Sequence, residues 1–231
     1  MVDAVGAAIR GKIEVSQARA ETVERVGAGF RVRAAGDWMA ADHVVLATEA
    51  HSGSGLVGTL DERVAELLRT VPYSSSVTIA LGFDAADFER PPVGFGFLVP
   101  RKERRILTAC TWVGTKFSHR VAEGKVVARC FAGGPDKAAL LAQSDESLLD
   151  AVTAELQEIA GFRAQPRFRR IFRWPHAMAL YPVGHGARIA ELESRVASIP
   201  GLYLAGNAYQ GIGIPDCIRM GKAAAAKILT S

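Results

Sequence analysis

Cysteine is scarce in this 231-residue chain, and it follows no metal-binding spacing. The three thiols, Cys110, Cys130 and Cys217, are an odd number and include no CxxC pair. The five histidines form no HExxH motif. These patterns argue against both a disulfide framework and a zinc site. We predict that the cysteines pack as small hydrophobic residues in a reducing compartment and that the chain binds no metal.

Long hydrophobic runs and a strong excess of one charge are also missing. No segment holds the roughly 18 consecutive apolar residues of a membrane span, and no signal peptide opens the chain. The net charge is only +4, and the one basic cluster, at 101–105, is best interpreted as a solvated turn rather than an anion site. We therefore predict a cytoplasmic protein with neither a transmembrane segment nor a nucleic-acid-binding module. A peripheral membrane location stays open.

The composition, 49% hydrophobic and 23% charged, is that of a globular protein with one large or two small domains. Alternating and continuous apolar runs predict strands, and apolar residues at helical spacing predict helices. The predicted strands are 13–20, 20–26, 30–35, 42–47, 75–83, 94–99, 106–113, 126–132, 166–174 and 202–205. The predicted helices are 2–9, 61–70, 144–160, 186–199 and a C-terminal one from Pro215, with a glycine- and serine-rich loop at 52–58.

This order of elements predicts an α+β fold. A mixed or antiparallel sheet with helices occupies 50–175, whereas the apolar runs Val44–Ala47 and Leu202–Ala205 suit a buried parallel sheet. We predict three segments with boundaries at 1–49, 50–175 and 176–231. In the strand RFRRIFRW, three arginines could bind an acidic ligand or could face solvent and neighbouring strands, and the second interpretation is favoured; they are Arg169, Arg170 and Arg173.

The C-terminal stretch GLYLAGNAYQGIGIPDCI predicts a strand, a glycine loop and a helix. Pro215 suits the first helical turn because its missing N–H would have no intrahelical partner there. Asp216 complements the positive end of the helix dipole. A strand that runs through glycines into a helix N-terminus can hold an electron-rich, flat ligand. Such units are common, so the pattern alone leaves a purely structural role equally open.

The same stretch resembles the C-terminal flavin motif of the protoporphyrinogen oxidases, which are FAD-dependent members of the amine-oxidase-like superfamily. Three further segments, GFGFLVPRKERRILTACTW, VVARCFAGG and RWPHAMALYPVGH, resemble segments of the same family, although Ala179 stands where proline is more usual. The resemblance implies a substrate-binding domain together with the last part of an FAD domain, with 1–49 and 176–231 belonging to the latter.

The resemblance also implies residue roles. The backbone of Ala20 would meet the adenine end of FAD, and Trp174 would lie beside the cofactor. The positions under the isoalloxazine ring would be Ile212, Gly213 and Ile214. The residues that sandwich the tetrapyrrole would be Phe95, Leu98 and Phe131. From burial statistics alone these three would be ordinary core residues. No catalytic side chain is implied, because the flavin performs the hydride chemistry.

One departure from the family is an absence. The GxGxxG unit that holds the FAD pyrophosphate does not occur, and GSGLVG at 53–58 lacks a preceding strand. We therefore predict the C-terminal half of an oxidase that converts protoporphyrinogen IX or coproporphyrinogen III to the porphyrin in heme biosynthesis. Alone it should be inactive and retain no FAD, and it could self-associate through apolar surface near Val44–Leu46 and Leu202–Leu204. The alternatives are a non-catalytic domain that binds a tetrapyrrole or a partner, and a portion of another amine-oxidase-like enzyme such as a desaturase.

Overall fold

The computed structural model describes residues 1–134 and 138–230, which form seven helices and ten strands. The helices are α1 (Val2–Ile9), α2 (Ala50–Val57), α3 (Glu62–Arg69), α4 (Val113–Lys116), α5 (Asp145–Ala160), α6 (His185–Ala197) and α7 (Ile214–Thr230). The strands are β1 (Ala20–Val26), β2 (Gly29–Ala34), β3 (Asp37–Ala41), β4 (Val44–Leu46), β5 (Tyr73–Asp84), β6 (Gly96–Leu98), β7 (Leu107–Trp112), β8 (Lys125–Gly133), β9 (Phe168–Ala179) and β10 (Leu202–Leu204). The predicted α+β class is confirmed.

The chain divides into two compact units. Unit 1 comprises residues 1–71 and 181–231, and unit 2 comprises residues 72–180. The first division lies later in the chain than the predicted boundary after residue 49. The reason is that α2 and α3 pack with each other and α2 packs with β1, which places both helices in unit 1.

Unit 2 is built on one antiparallel sheet of five strands in the order β6-β7-β8-β5-β9. The predicted hairpin of β6 and β7 is present, and the basic cluster at its turn forms a short exposed 3₁₀ turn. One face of the sheet is fully buried, because Val77, Ile79 and Leu81 of β5 alternate toward α5. Helix α5 contributes Leu148, Val152 and Leu156 to the same core.

The ends of α5 follow the predicted capping. The Ser144 hydroxyl accepts a hydrogen bond from the amide of Ser147 at 3.2 Å, which satisfies one N–H of the first turn. Gly161 ends the helix in a left-handed conformation with φ of 69°, where a residue without a side chain is favoured. A buried carboxylate also anchors the helix to the sheet. Glu155 accepts from the amides of Ile106 and Leu107, at 3.0 and 3.2 Å.

The predicted packing of two cysteines is confirmed in the same core. Cys110 and Cys130 are buried and opposed on β7 and β8, with their sulfur atoms 3.9 Å apart. Cys217 is only partly buried, in α7. No group of three or more metal-ligating side chains occurs within residues 1–134 and 138–230. No helix in that part of the chain has the length and apolarity needed to cross a membrane.

Unit 1 contains two small sheets. One is antiparallel, in the order β1-β2-β3, and the other pairs β4 with β10 in parallel. The predicted parallel character of these two apolar runs is confirmed, and the structure shows that they pair with each other. Leu46 and Leu202 are each only 3% exposed, so the predicted apolar surface there is wrong for these two residues. Leu46 packs toward α2, and the neighbouring Val45 is the one that stays partly exposed.

Three sequence predictions in unit 1 are wrong. Of the strand predicted at 13–20, residues 14–19 are in no strand, Ile13 makes only an isolated bridge with Arg10, and Ala20 is the first residue of β1. Strand β3 was missed, although Trp38 pairs across to β2 and stacks under the guanidinium of Arg31. The loop predicted at 52–58 is helix α2, because burial of its apolar residues outweighs the low helix propensity of its glycines and serines.

Candidate functional site

The glycine loop at 205–213 joins β10 to α7, as the sequence predicted. Its middle is anchored, since Ala208 and Tyr209 are 0% and 4% exposed. Its end is open, since the side chains of Ile212 and Ile214 are 52% and 56% exposed. The loop therefore presents two apolar side chains beside the first turn of a helix.

Two side chains, one just before α6 and one at its first residue, hold this loop. The hydroxyl of Tyr181 donates to the carbonyl of Asn207 and accepts from the amide of Gly211, both at 2.9 Å. The ring of Tyr181 stacks on His185 at 3.9 Å between centroids and 12° between planes. His185 is buried, and its Nε2 lies 3.1 Å from the carbonyl of Tyr209. Because a carbonyl only accepts, Nε2 carries the proton.

Desolvation raises the pKa of Tyr181, and the hydrogen bond that its hydroxyl accepts from the amide of Gly211 offsets this rise only in part. The hydroxyl is therefore protonated at neutral pH and remains able to donate to the loop. The sequence reasoning gave Tyr181 and His185 no role. The available signal was that both lie in RWPHAMALYPVGH, the segment that carries part of the family resemblance.

Gly211 is required by its surroundings. Its φ is 124°, and a side-chain Cβ there would lie 2.3 Å from the carboxyl carbon of Asp216. That carboxylate accepts from the amide of Gly213 at 3.3 Å and pairs with Arg219 at 3.1 Å. Asp216 thus accepts a hydrogen bond from within the bend. The amides of Ile214 and Asp216 precede the first intrahelical hydrogen bond, which Cys217 donates to the carbonyl of Gly213 at 3.1 Å.

This end of α7 suits a flat ligand with an electron-rich edge. The positive end of the helix dipole stabilises negative charge, and free first-turn amides donate hydrogen bonds. Ile212 and Ile214 add apolar contact surface at the same place. The three positions predicted under a flavin ring, with Gly213 between the two isoleucines, therefore lie in one exposed bend.

The second candidate surface is the face of the unit 2 sheet that lies opposite to α5, here called the open face. The pairing register places residues of all five strands in one cross-strand row, because directly paired residues share a face. Predicted residues Leu98 and Phe131 lie in this row on either side of a small alanine. From β6 to β9, the row is Leu98, Ala109, Phe131, Thr78 and Phe172.

The open face is apolar and accessible. Leu98 is 80% exposed, Phe172 is 50% exposed, and Phe131 is half-buried. Trp174, paired with Ser76 on β5, is 49% exposed and lies on the same strand face as Phe172. Phe95 precedes β6 and is also largely exposed. Their apolar chemistry alone would suggest ordinary core residues, but their exposure shows that they are not part of the buried core.

Among the predicted cofactor residues, Ala20 begins β1 in the antiparallel sheet of unit 1, where it pairs with Ala34. The glycine loop lies in the same unit but follows a different sheet. Trp174 belongs to unit 2. The predicted cofactor set is thus divided between the two units.

Comparison with known proteins identifies the family. The sequence profile described as flavin-containing amine oxidoreductase matches residues 4–229. The chain belongs to this family. It is 32% identical to coproporphyrinogen III oxidase of Bacillus subtilis over 82% of its length, and 24% identical to chloroplastic protoporphyrinogen oxidase 1 of Arabidopsis thaliana over 76%.

Solved structures agree with this assignment. A provisionally named protoporphyrinogen oxidase from Exiguobacterium superposes with a TM-score of 0.82 at 31% identity, covering 93% of this chain. Cyclohexylamine oxidase from Brevibacterium oxydans shares the fold, with a TM-score of 0.76 at 15% identity. The chain spans 40% of the Bacillus relative and 47% of the Exiguobacterium chain, which is less than half of each.

Flavin-containing amine oxidoreductases use FAD. The α7 bend fits the ring end of that cofactor: the helix N-terminus faces electron-rich atoms favourably, and the exposed isoleucines match a flat apolar ring. Gly206 has a φ of 139°, a conformation that favours glycine, and a hypothetical Cβ would lie 3.8 Å from the carbonyl oxygen of Thr48.

Proposed function

We propose that this chain is the C-terminal portion of an FAD-dependent porphyrinogen oxidase. In this proposal unit 2 binds the tetrapyrrole on its open face, and unit 1 supplies the bend that holds the flavin ring. Coproporphyrinogen III is the favoured substrate over protoporphyrinogen IX. Bacterial relatives named for the former reach 31–32% identity and the plant proteins named for the latter 24–27%, although the Exiguobacterium protein, provisionally named for the latter, reaches 31%.

The observation that carries the proposal is the open face itself. A large apolar row of Leu98, Phe131 and Phe172 is exposed on a sheet whose other face is a complete core. Exposed apolar patches of this kind mark binding surfaces. A tetrapyrrole is broad and apolar, so a flat surface with aliphatic and aromatic side chains and few polar groups suits it.

The oxidation removes hydrides and protons from the porphyrinogen, and FAD, when bound, supplies the hydride-accepting chemistry. The residues of this chain would orient the two rings and exclude water. The first turn of α7 would stabilise negative charge on the reduced ring, because it is the positive end of the helix dipole. Tyr181 and His185 would keep the bend fixed, because they bind the carbonyls of Asn207 and Tyr209.

The pyrophosphate-binding unit of the cofactor site would lie outside these 231 residues. In support, β10 pairs only with β4 among the described strands, and a cavity of about 440 Å³ borders Leu202, Tyr203 and Leu204. Three consecutive strand residues at one cavity indicate a free backbone edge, to which another parallel strand could add. The chain alone should therefore retain no FAD.

The proposal is tested with the purified chain. We expect coproporphyrin III fluorescence to be quenched on addition of the chain, whereas FAD should be lost on gel filtration. Phe131→Ala should weaken quenching about tenfold, in line with about 1.4 kcal/mol for a lost aromatic contact. Phe117→Ala, a partly buried phenylalanine of the same unit that is in none of the five strands, is the control and should bind as the wild type does.

Two results would count against the proposal. Absence of porphyrin quenching by the wild-type chain would contradict a tetrapyrrole surface on unit 2. A Phe131→Ala variant that is less stable but binds porphyrin normally would show that Phe131 is a packing residue only.

A further inference from the structure

Two arginines lie together on the open face. The register places Arg129 of β8 opposite Ala80 of β5, and Ala80 opposite Arg170 of β9. Their Cα atoms are therefore two strand spacings apart, roughly 10 Å, with only a methyl side chain between them. This row is next to the apolar row that contains Phe131 and Phe172.

Arg170 differs from the other arginines of its strand. Arg169 and Arg173 point to the core side and pair with Asp150 and Asp145 of α5. Arg167, just before the strand, pairs with Asp84 and Asp87. Within residues 1–134 and 138–230, Arg170 makes only a ring contact, with its guanidinium 6.0 Å from the centre of Phe168.

Arg129 has a buried nitrogen that lacks a hydrogen-bond acceptor among the described residues. Its guanidinium lies over the ring of Phe131, 5.1 Å from the ring centre. Its Nε is shielded from solvent and finds no acceptor in the part of the chain that the structure describes. Leaving a buried donor without a partner costs about 1–3 kcal/mol, and Arg129 as a whole is only half-buried, so the rest of its side chain can be approached from solvent.

No acidic residue lies between these cations in the sheet. The arginine row from β6 to β9 is Gly96, Thr111, Arg129, Ala80 and Arg170, and neither it nor the adjacent apolar row holds an aspartate or glutamate. Two cations that have no ion-pair partner among residues 1–134 and 138–230, beside an exposed aromatic row, complement a ligand that is broad, apolar and edged with carboxylates. Arginine suits this task because its planar guanidinium binds carboxylates through two hydrogen bonds.

We propose that Arg129 and Arg170 bind two carboxylates of a tetrapyrrole that lies on the open face. This inference rests on the proposed function and adds specificity to it, because it assigns carboxylate recognition to this half of the protein. A tetracarboxylate such as coproporphyrin III is then favoured over the same ring without free carboxylates.

The test compares coproporphyrin III with its tetramethyl ester, by fluorescence quenching in one detergent buffer at two salt concentrations. The wild-type chain should bind the acid more tightly than the ester, and only the acid should weaken with salt. Arg129→Met and Arg170→Met should each weaken acid binding about tenfold, the loss of about one charge-assisted hydrogen-bond pair, and leave ester binding unchanged.

Two variants serve as controls. Arg169→Met changes the neighbouring residue on the opposite face and should leave both affinities unchanged. Arg129→Lys keeps the charge without the planar guanidinium and should recover part of the acid affinity and its salt dependence. Circular dichroism and thermal unfolding of each variant establish that it is folded.

Each outcome decides between the two proposals. If the wild-type chain binds acid and ester equally, or if Arg129→Met and Arg170→Met lose both ligands together, the arginine assignment is wrong while a tetrapyrrole surface stands. If the wild-type chain binds neither compound, the proposed function fails and the arginine assignment fails with it.

Discussion

The two units differ in how their structure is maintained. Unit 2 has one five-stranded sheet with a continuous apolar core under α5, and every residue of that core cluster belongs to unit 2. Unit 1 has two small sheets, and its glycine loop is held by a few individual hydrogen bonds from Tyr181, His185 and Asp216. Unit 2 is thus maintained by a continuous apolar core, whereas the loop of unit 1 depends on a few polar contacts.

The largest effect should come from the core of unit 2. Leu156→Ala removes a fully buried side chain of α5 and should lower the free energy of unfolding by about 3 kcal/mol, within the usual range for such cavities. Val45→Ala in β4 of unit 1, where the side chain is 39% exposed, should cost less than about 1 kcal/mol. Urea denaturation measures both. Equal losses would remove the distinction between the two units.

A backbone substitution should affect unit 1 nearly as strongly. Gly211→Ala places a Cβ against Asp216 at a φ of 124°, and should cost roughly 3 kcal/mol from strain and steric overlap. Gly134→Ala in unit 2 is a matched control, since it has the same φ with no atom within 4 Å of the new Cβ. Denaturation of both variants separates the two costs. If Gly134→Ala is as destabilising, the contact with Asp216 contributes nothing.

A smaller, pH-dependent effect should arise at Asp61, the N-cap of α3 in unit 1. The amide of Val64 donates to its carboxylate at 3.0 Å, and this bond, with help from Arg195, holds the pKa of Asp61 below its ordinary value. Because the folded pKa is the lower one, its contribution is complete above about pH 4 and is lost as the pH falls further. Asp61→Ala should cost about 1 kcal/mol at pH 7.

Denaturation curves at several pH values test this assignment. The stability difference between wild type and Asp61→Ala should shrink on acidification below about pH 4, the ordinary pKa of an aspartate. A difference that stays constant with pH would show that the carboxylate charge has no part in capping α3.

The smallest effect concerns the reactivity of the three cysteines, which can be measured without unfolding either unit. The contact with Cys110 and burial raise the pKa of Cys130, so its thiolate is scarce at neutral pH. Alkylation of the native chain should therefore modify Cys217 of α7 first, and Cys110 and Cys130 only after denaturant is added. Cys217→Ser should abolish the fast phase. Rapid native labelling of Cys130 would mean that the unit 2 core opens readily.

Local rules predicted the parts of the fold where sequence signals are strong. Ser144 and Gly161 bound α5 as expected, and the apolar runs of β4 and β10 indicated strands of a parallel sheet, although not that the two pair with each other. Helix α2 was missed because burial of Leu56 and Val57 depends on distant residues that local propensity does not describe. Strand β3 likewise depends on its pairing partner.

The candidate site was predictable in outline only. Glycine spacing indicated the α7 bend, but its dependence on Tyr181 required knowledge of which residue approaches Gly211 in three dimensions. In β9, alternation indicated a strand with arginines on two faces. Which face meets α5 is decided by the pairing of β9 with β5, and the local sequence of β9 does not determine that pairing.

The alternation in β9 gives hydrogen-bond register a chemical meaning. Arg169 and Arg173 fasten the strand to α5, while Arg170 stands on the other side. A register shift of one residue would exchange these faces. Arg169 and Arg173 would then lie on the open face, and Arg170 would face the acidic residues of α5. The irregular pairing between Ser74 and Ser76 lies near the start of β5, outside the part that pairs with the three arginines. The register of the arginines is therefore regular, and each stays on its own face of the sheet. In β9, the register of one backbone ladder therefore decides which of several identical side chains form ion pairs within the protein and which remain on the open face.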